Sequence, residues 1–158
     1  MRLYFLRHAD ALEGADDAAR PLSPRGWRQA RRLGRFLEES GIAFDLAYSS
    51  PLVRSCETAE AILHCCGAVP VKQLRKVNAL LNDASQKQFD GWLRALPDAG
   101  HVLLVGHAPT LPERVRVFLG MGDPDALKLP KGAIVCIGTD DRQTGTLRFV
   151  VTPKLLGD

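Results

Sequence analysis

The sequence predicts an α/β fold, a three-layer α/β/α sandwich with a mostly parallel central sheet. Two short runs, residues 3–6 and 102–105, are apolar at every position, which is typical of strands covered on both faces. Predicted strands alternate with helical patterns through most of the chain, as expected for helices on both faces of a sheet. With 158 residues, 46% of them hydrophobic, we expect one domain spanning residues 1–158.

The first predicted strand leads through a long loop into the first helix. Residues 3–6 form the strand, and the loop continues through Gly14 to Leu22, which is long enough to carry a function. Ser23 is a predicted N-cap with Pro24 at the first helical position. The helix reaches about residue 40, where Gly41 is the predicted left-handed terminator.

The next elements repeat this pattern. A second strand lies near Leu46, and Ser50 followed by Pro51 predicts the cap and start of a second helix that ends at Gly67. Residues 69–81 contain only short extended pieces between polar residues.

The second half of the chain predicts two more helices and three strands. A helix covers about residues 85–96, and the apolar run at 102–105 follows it. Pro109 is expected in the first turn of a helix that reaches residue 119. The last strands, 133–138 and 146–151, are predicted to pair as an antiparallel hairpin at the sheet edge.

The charge of the chain is ordinary, at +3 with 25% charged residues. Its basic excess lies on the first predicted helix, at Arg25, Arg28, Arg31, Arg32 and Arg35. We interpret these arginines as a solvated helix face and expect no nucleic-acid partner, because no aromatic residues are interleaved for base stacking.

Membrane insertion, export and metal binding are not predicted. The first apolar run is shorter than a signal-peptide core, and no stretch approaches the roughly 18 apolar residues of a membrane span. His64, Cys65 and Cys66 are adjacent but lack the usual ligand spacing, and no C-x-x-C pair exists. We therefore expect a cytoplasmic protein with free thiols at its four cysteines, Cys56, Cys65, Cys66 and Cys136.

Histidines and arginines follow the predicted strands where chemistry is expected. His8 ends the first apolar run and His107 ends the second, and Arg54 lies just after the strand near residue 46. Ligands bind beyond the carboxyl ends of parallel strands, so these side chains and Arg7 are expected at one edge of the sheet. Imidazoles and guanidiniums at helix N-termini predict a phosphate site.

Each of these side chains also has a structural alternative. His8 could cap its strand and bond a loop, and His107 could cap the helix that begins near Pro109. Arg7 could pair with the carboxylate of Asp10, and Arg54 with Glu57 on its own helix. Arg20, in the long loop, is either an exposed charge or a further contact that closes over the edge. Because these side chains are all expected at one edge of the sheet, we favour a phosphate site over the separate structural roles.

These motifs carry a family resemblance. The chain resembles the histidine phosphatase superfamily, also called phosphoglycerate mutase-like, over nearly its whole length. Its short length and two local motifs narrow the resemblance to the SixA-type phosphohistidine phosphatases. The segments that carry it are 6–8, 49–54, 57–59 and 106–107, with 7–11 and 20–23 as the narrowing motifs.

The resemblance implies roles for individual residues. His8 would be the nucleophile that becomes phosphorylated, and Arg7, Arg54 and His107 would hold the phosphoryl oxygens, with Arg20 as a further contact. The physical chemistry agrees, since a neutral imidazole is a good nucleophile and fixed cations stabilise the transferring phosphoryl group. We accordingly predict that no metal or cofactor is required.

The chain departs from the family pattern at two places. Ala9 replaces the usual glycine after the histidine, a small change. Residues 77–83 lack the glutamate that acts as general acid in many members, which leaves Asp83 and Asp10 as weak candidates. An imidazole leaving group, with a pKa of about 6.5, needs far less help from an acid than an alcohol does. The sequence therefore favours phosphohistidine over sugar phosphates.

We expect a phosphatase that acts on phosphohistidine in a partner protein. The alternatives are a phosphatase for small phosphomonoesters and, from another class, a catalytically idle phosphate-binding or interaction module. Mutase activity is disfavoured because the chain lacks room for the insertions that would enclose a diphosphorylated substrate. We expect a monomer.

Overall fold

A six-stranded sheet forms the centre of the structure, a computed structural model that describes residues 1–66 and 70–158. The strand order across the sheet is β3-β2-β4-β1-β5-β6. The first four strands are parallel, and β5 and β6 each run antiparallel to the preceding neighbour, which confirms the mostly parallel sheet and the final hairpin. The strands are β1 (Arg2–Arg7), β2 (Leu46–Ser49), β3 (Arg75–Lys76), β4 (His101–Gly106), β5 (Ile134–Gly138) and β6 (Thr146–Val151).

Helices cover both faces of this sheet, which confirms the three-layer prediction. Tyr4 and Leu6 of β1 pack into the core beneath the first two helices, whereas Leu3 and Phe5 pack into the core beneath the other two. All four are fully buried, as expected for a strand covered on both sides. The helices are α1 (Pro24–Glu39) and α2 (Val53–Cys66) on the first face, and α3 (Gln86–Arg94) and α4 (Thr110–Phe118) on the second.

Both predicted ends of α1 are confirmed. Ser23 is the N-cap, and its hydroxyl accepts a hydrogen bond from the backbone N–H of Gly26 at 3.0 Å. Gly41 has a φ of +69° after the helix. The backbone N–H of Ile42 then donates to the carbonyl of Leu37 at 2.9 Å, which completes a left-handed helix terminus.

The predicted start of α2 at Ser50 and Pro51 is wrong. The helix begins at Val53, and the Ser50 hydroxyl does not cap it. That hydroxyl lies 2.6 Å from Nε2 of His107 instead. A tertiary partner therefore takes the side chain that the local pattern assigned to capping.

Two other predicted helix boundaries are the start of α4 at Pro109 and the end of α2 at Gly67. Pro109 is the N-cap of α4, so it precedes the helix by one residue instead of standing in the first turn. Gly67, the predicted end of α2, and the first residue of the 69–81 segment lie outside the described residues. From residue 70, that segment contains β3 and two 3₁₀ turns, Val71–Gln73 and Asn78–Leu80.

The sheet register aligns the carboxyl ends of three neighbouring strands. Arg7 of β1 is opposite Gly106 of β4, and Ser49 of β2 is opposite Val105 of β4. The residue that follows each strand, His8, His107 and Ser50, therefore emerges at the same edge.

Candidate active site

Two histidines lie side by side at this edge. The ring centroids of His8 and His107 are 5.0 Å apart, and their planes are inclined by 55°. His8 is 8% exposed and His107 is 2% exposed. The predicted convergence of the two strand-end histidines is therefore present in the structure.

The protonation of His8 follows from its neighbours. Its Nδ1 lies 2.7 Å from the backbone carbonyl of Ala9, which can only accept, so Nδ1 carries the proton. Nε2 then has a free lone pair. Burial lowers the pKa of His8 to about 4, and the charges of Arg54 and Arg7 act in the same direction. His8 is therefore a neutral imidazole near pH 7, the form that can act as a nucleophile.

Two serine hydroxyls contact the ring of His107. Its Nε2 lies 2.6 Å from the Ser50 hydroxyl oxygen and 3.3 Å from that of Ser55. Burial lowers the pKa of His107 to about 3, and the charge of His8 lowers it further. A Ser50 hydroxyl that donates to Nε2 leaves the ring proton on Nδ1. Nδ1 is buried and has no partner among the described residues, so it is available to a ligand.

The half-buried guanidinium of Arg7 and the buried guanidinium of Arg54 complete the cluster. Arg7 donates through Nη1 to the carbonyl of Leu129 at 2.7 Å, while its Nε is buried without a partner in the described part of the chain. Arg54, in the first turn of α2, contacts Asp17 and not the predicted alternative Glu57. Buried donors are normally satisfied. The unpaired nitrogens of Arg7 and His107 therefore indicate a place for anionic oxygens.

Comparison with known proteins identifies the family of this chain. Residues 3–80 match the family described as Histidine phosphatase superfamily (branch 1). An uncharacterized protein of Picosynechococcus sp. is 34% identical over 141 residues, which cover 85% of this chain and 83% of that protein. The chain belongs to the histidine phosphatase superfamily.

Two further comparisons concern one named member of the superfamily. Phosphohistidine phosphatase SixA of Escherichia coli is 24% identical over 156 residues, which cover 97% of this chain and 94% of that protein. A structure of the protein histidine phosphatase SixA complexed with tungstate superposes with a TM-score of 0.89 at 24% identity, over 99% of both chains. This similarity confirms the phosphoglycerate mutase-like fold.

The histidine phosphatase site is partly covered by the long loop after β1. Arg20 does not contact His8 or His107; it donates to the carbonyl of Leu12 at 2.7 Å and to the carboxylates of Asp17 at 3.0 Å and Glu13 at 3.2 Å. Asp17 in turn contacts Arg54. Arg20 is thus connected to the cluster through Asp17, and its direct contact with a phosphoryl group remains a prediction.

The two weak acid candidates are not placed as proton donors. Asp10 accepts hydrogen bonds from Lys131 at 2.9 Å and Ser23 at 2.7 Å, and the bond from Lys131 is the main reason that the pKa of Asp10 lies below its usual value. Asp83 is exposed and lines a separate cavity of about 290 Å³, whose described lining includes none of the cluster residues.

The segment that lacks the family glutamate nevertheless lies beside the cluster. A Cβ added to Gly106 would lie 3.1 Å from the carbonyl oxygen of Leu80, so the 3₁₀ turn Asn78–Leu80 packs against the residue before His107. Ala79 precedes Leu80 and is half-buried. Ala79 also lines the cavity that Asp83 lines, so a glutamate at this position tests whether a carboxyl group in this segment can serve the site.

Sequence reasoning missed three groups near the cluster. Ser55 and Asp17 were not predicted as contacts of site residues, and Lys131 was not considered. The positive charge of Lys131 lowers the pKa of His8, and its ammonium lies 2.9 Å from a carboxylate oxygen of Asp10. Lys131 precedes β5 by three residues and lies in a turn, where no periodic pattern would have drawn attention to it.

The described residues form neither a metal-binding cluster nor a membrane-spanning helix. Within residues 1–66 and 70–158, no three or more His, Cys, Asp or Glu side chains cluster closely enough to hold a metal ion. In the same part of the chain, no helix has the length and hydrophobicity that crossing a membrane requires. The four cysteines are free thiols, and Cys65 is the least buried of them.

Proposed function

We propose that this histidine phosphatase uses His8 as a nucleophile and removes phosphate from phosphohistidine in a partner protein. In the first step, the lone pair of His8 Nε2 forms a bond to phosphorus while the bond from phosphorus to the substrate nitrogen breaks. The released nitrogen keeps the bonding pair, and a proton that the substrate ring already carries on its distal nitrogen lets it leave as neutral imidazole. In the second step, water attacks the phosphoryl group on His8, which releases phosphate and restores the imidazole.

The observation that carries this proposal is the protonation state of His8. Its Nδ1–H is fixed on the Ala9 carbonyl, Nε2 is free, and the pKa of about 4 keeps the ring neutral at physiological pH. A histidine that only bonded a loop would need neither a second buried imidazole at 5.0 Å nor two guanidiniums beside it.

The two arginines of the site provide the stabilisation that phosphoryl transfer needs. Charge develops on the equatorial oxygens of the transferring group, and preorganised donors in a water-poor site stabilise it strongly. Arg7 and Arg54 supply planar guanidiniums, and Nδ1 of His107 supplies a neutral donor. A neutral His107 avoids adding a third positive charge to the resting site.

The leaving group is the basis for choosing phosphohistidine. The carboxyl group that contacts the cluster, Asp17, has its pKa held below the usual value by Arg20 and Arg54, so it is a poor acid near neutral pH. An imidazole leaves more readily without protein help than an alkoxide does. The similarity to a phosphohistidine phosphatase along 97% of the chain supports the same choice.

A substrate panel tests this proposal. Initial rates are measured for several phosphohistidine proteins, 4-nitrophenyl phosphate and glucose 6-phosphate under identical conditions. We expect phosphohistidine and the aryl phosphate to be hydrolysed well and the sugar phosphate slowly. Equal rates on the sugar phosphate and the aryl phosphate would instead indicate a phosphatase for small phosphomonoesters, and no hydrolysis of any substrate would indicate an idle binding module.

A matched pair of variants connects the activity to the site. His8→Ala should remove essentially all turnover, because the nucleophile is lost. His64→Ala removes an exposed imidazole from α2, away from the cluster, and should retain wild-type rates. Retention of about a tenth of wild-type activity in His8→Ala would contradict covalent catalysis at this residue.

A further inference from the structure

The loop between β1 and α1 places a carboxylate directly on a guanidinium of the site. Arg54 donates through Nη1 to the backbone carbonyl of Asp17 at 2.6 Å and through Nη2 to its carboxylate at 3.0 Å. The other oxygen of the same carboxylate accepts from Arg20 at 3.0 Å. Asp17 is therefore fixed between two arginines.

The position of Asp17 is set by local structure. It begins the 3₁₀ turn Asp17–Ala19, and Asp16 caps this turn by accepting from the backbone N–H of Ala18 at 3.0 Å. The same turn packs against α2, the helix that carries Arg54. The carboxylate is thus built into the loop and does not depend on a chance side-chain conformation.

Asp17 lies on the solvent side of the site. Its side chain is 63% exposed, whereas that of Arg54 is 9% exposed and His8 is buried. In an in-line displacement the leaving group departs on the side opposite the nucleophile. Because a substrate can approach buried His8 only from solvent, its leaving group faces solvent during an in-line attack, and Asp17 is an exposed carboxylate bonded to the site arginine Arg54.

The charge at this opening is opposite to the charge below it. Arg7 and Arg54 make the buried part of the site positive, which suits the phosphoryl group. Asp17, like any exposed carboxyl group, is negative near neutral pH, its contacts with Arg20 and Arg54 lower its pKa further, and Glu13 adds another exposed carboxylate on the same loop. A leaving group that carries its own negative charge would be repelled by these carboxylates, because like charges close together are unfavourable.

We propose that Asp17 is a specificity-determining residue that disfavours anionic leaving groups and favours neutral or cationic ones. This inference rests on the proposed phosphatase function and narrows its substrate class. An imidazole attached to phosphorus is neutral, or cationic once its distal nitrogen is protonated, and in the protonated form the distal N–H can donate to a carboxylate. Phosphate esters whose leaving group carries a carboxylate or a second phosphate place a negative charge beside Asp17, so they are poorer substrates.

The test compares two esters with leaving groups of similar basicity and different charge, phenyl phosphate and 4-carboxyphenyl phosphate. We expect the wild type to prefer phenyl phosphate by about fivefold or more in kcat/KM, as a like charge near the reacting group predicts. Asp17→Asn keeps the shape and removes the charge, and it should reduce the preference to within about twofold. An equal effect of Asp17→Asn on both esters would mean a structural role and would overturn the inference.

Asp16→Asn is the matched control. It removes the same charge from the adjacent residue, which does not contact Arg54, and Asn caps a helix as well as Asp does. The wild-type preference should persist in this variant. A preference lost equally in Asp16→Asn and Asp17→Asn would assign the discrimination to the general charge of the loop and would contradict a specific role of Asp17.

A binding measurement separates this inference from the proposed function. Phenylphosphonate and 4-carboxyphenylphosphonate cannot be hydrolysed, so their dissociation constants, measured by calorimetry on wild type and Asp17→Asn, do not depend on turnover. If the esters are not hydrolysed, the proposed function fails, whereas a charge preference in phosphonate binding that disappears in Asp17→Asn still supports the role of Asp17. Equal binding of both phosphonates to the wild type would refute it.

Discussion

Ser50→Ala removes the hydroxyl that holds His107, and its effect can be estimated from the structure. The Ser50 hydroxyl lies 2.6 Å from Nε2 of His107 in a fully buried position, and the second hydroxyl, on Ser55, is 3.3 Å away. Leaving a buried polar group without its best partner costs about 1–3 kcal/mol. If that loss falls on the transition state, kcat/KM decreases by about 5- to 150-fold.

The assay is steady-state hydrolysis of 4-nitrophenyl phosphate by Ser50→Ala and Ser55→Ala. Ser55→Ala is the matched control because it removes the same group at the longer distance, so its loss should be several times smaller. Thermal unfolding of both variants controls for a general loss of structure. Wild-type kinetics in Ser50→Ala, or a larger loss in Ser55→Ala, would refute the assignment of Ser50 as the residue that orients His107.

Three further predictions concern the arginines, the pH profile and the missing acid. Arg7→Lys and Arg54→Lys should each lower kcat/KM by at least about tenfold, since an ammonium lacks the planar donor pair. The control Arg28→Lys, on the exposed face of α1, should keep wild-type kinetics. Normal kinetics in both site variants would indicate that Arg7 and Arg54 form structural ion pairs. Because His8 must be neutral and its pKa is about 4, a pH–rate profile corrected for ionisation of the substrate should show constant kcat/KM from about pH 8 to 5 and a decrease below about pH 4. A decrease that begins near pH 6.5 would contradict the lowered pKa of His8. Ala79→Glu should raise turnover of glucose 6-phosphate relative to 4-nitrophenyl phosphate, and an unchanged ratio of the two rates would mean that this position cannot deliver a proton.

Much of the fold could be predicted because its signals are local. The apolar runs of β1 and β4 identify buried strands, and Ser23 and Gly41 mark the ends of α1 through well-defined backbone geometry. The shared edge of His8 and His107 then follows from the parallel pairing of the two strands.

The contacts that decide the chemistry could not be predicted in the same way, because they join residues distant in sequence. Ser50 resembled a helix cap, yet its partner His107 is 57 positions away. The ion pair of Arg54 with Asp17 depends on the path of a loop that has no periodic pattern, and a pairing with the nearby Glu57 seemed equally reasonable. The carboxylate of Glu57 instead accepts from the backbone N–H of Leu22 at 2.6 Å.

The central claim is that His8 becomes phosphorylated, and trapping the phosphoenzyme tests it most directly. The protein is mixed with excess 4-nitrophenyl phosphate, quenched within milliseconds under alkaline denaturing conditions that preserve phosphohistidine, digested and mapped by mass spectrometry. We predict a phosphoryl group on the peptide that contains His8, with a burst of nitrophenol that does not exceed one equivalent of protein. An unmodified His8 peptide during steady turnover, or a phosphoryl group on His107 instead, would contradict the account.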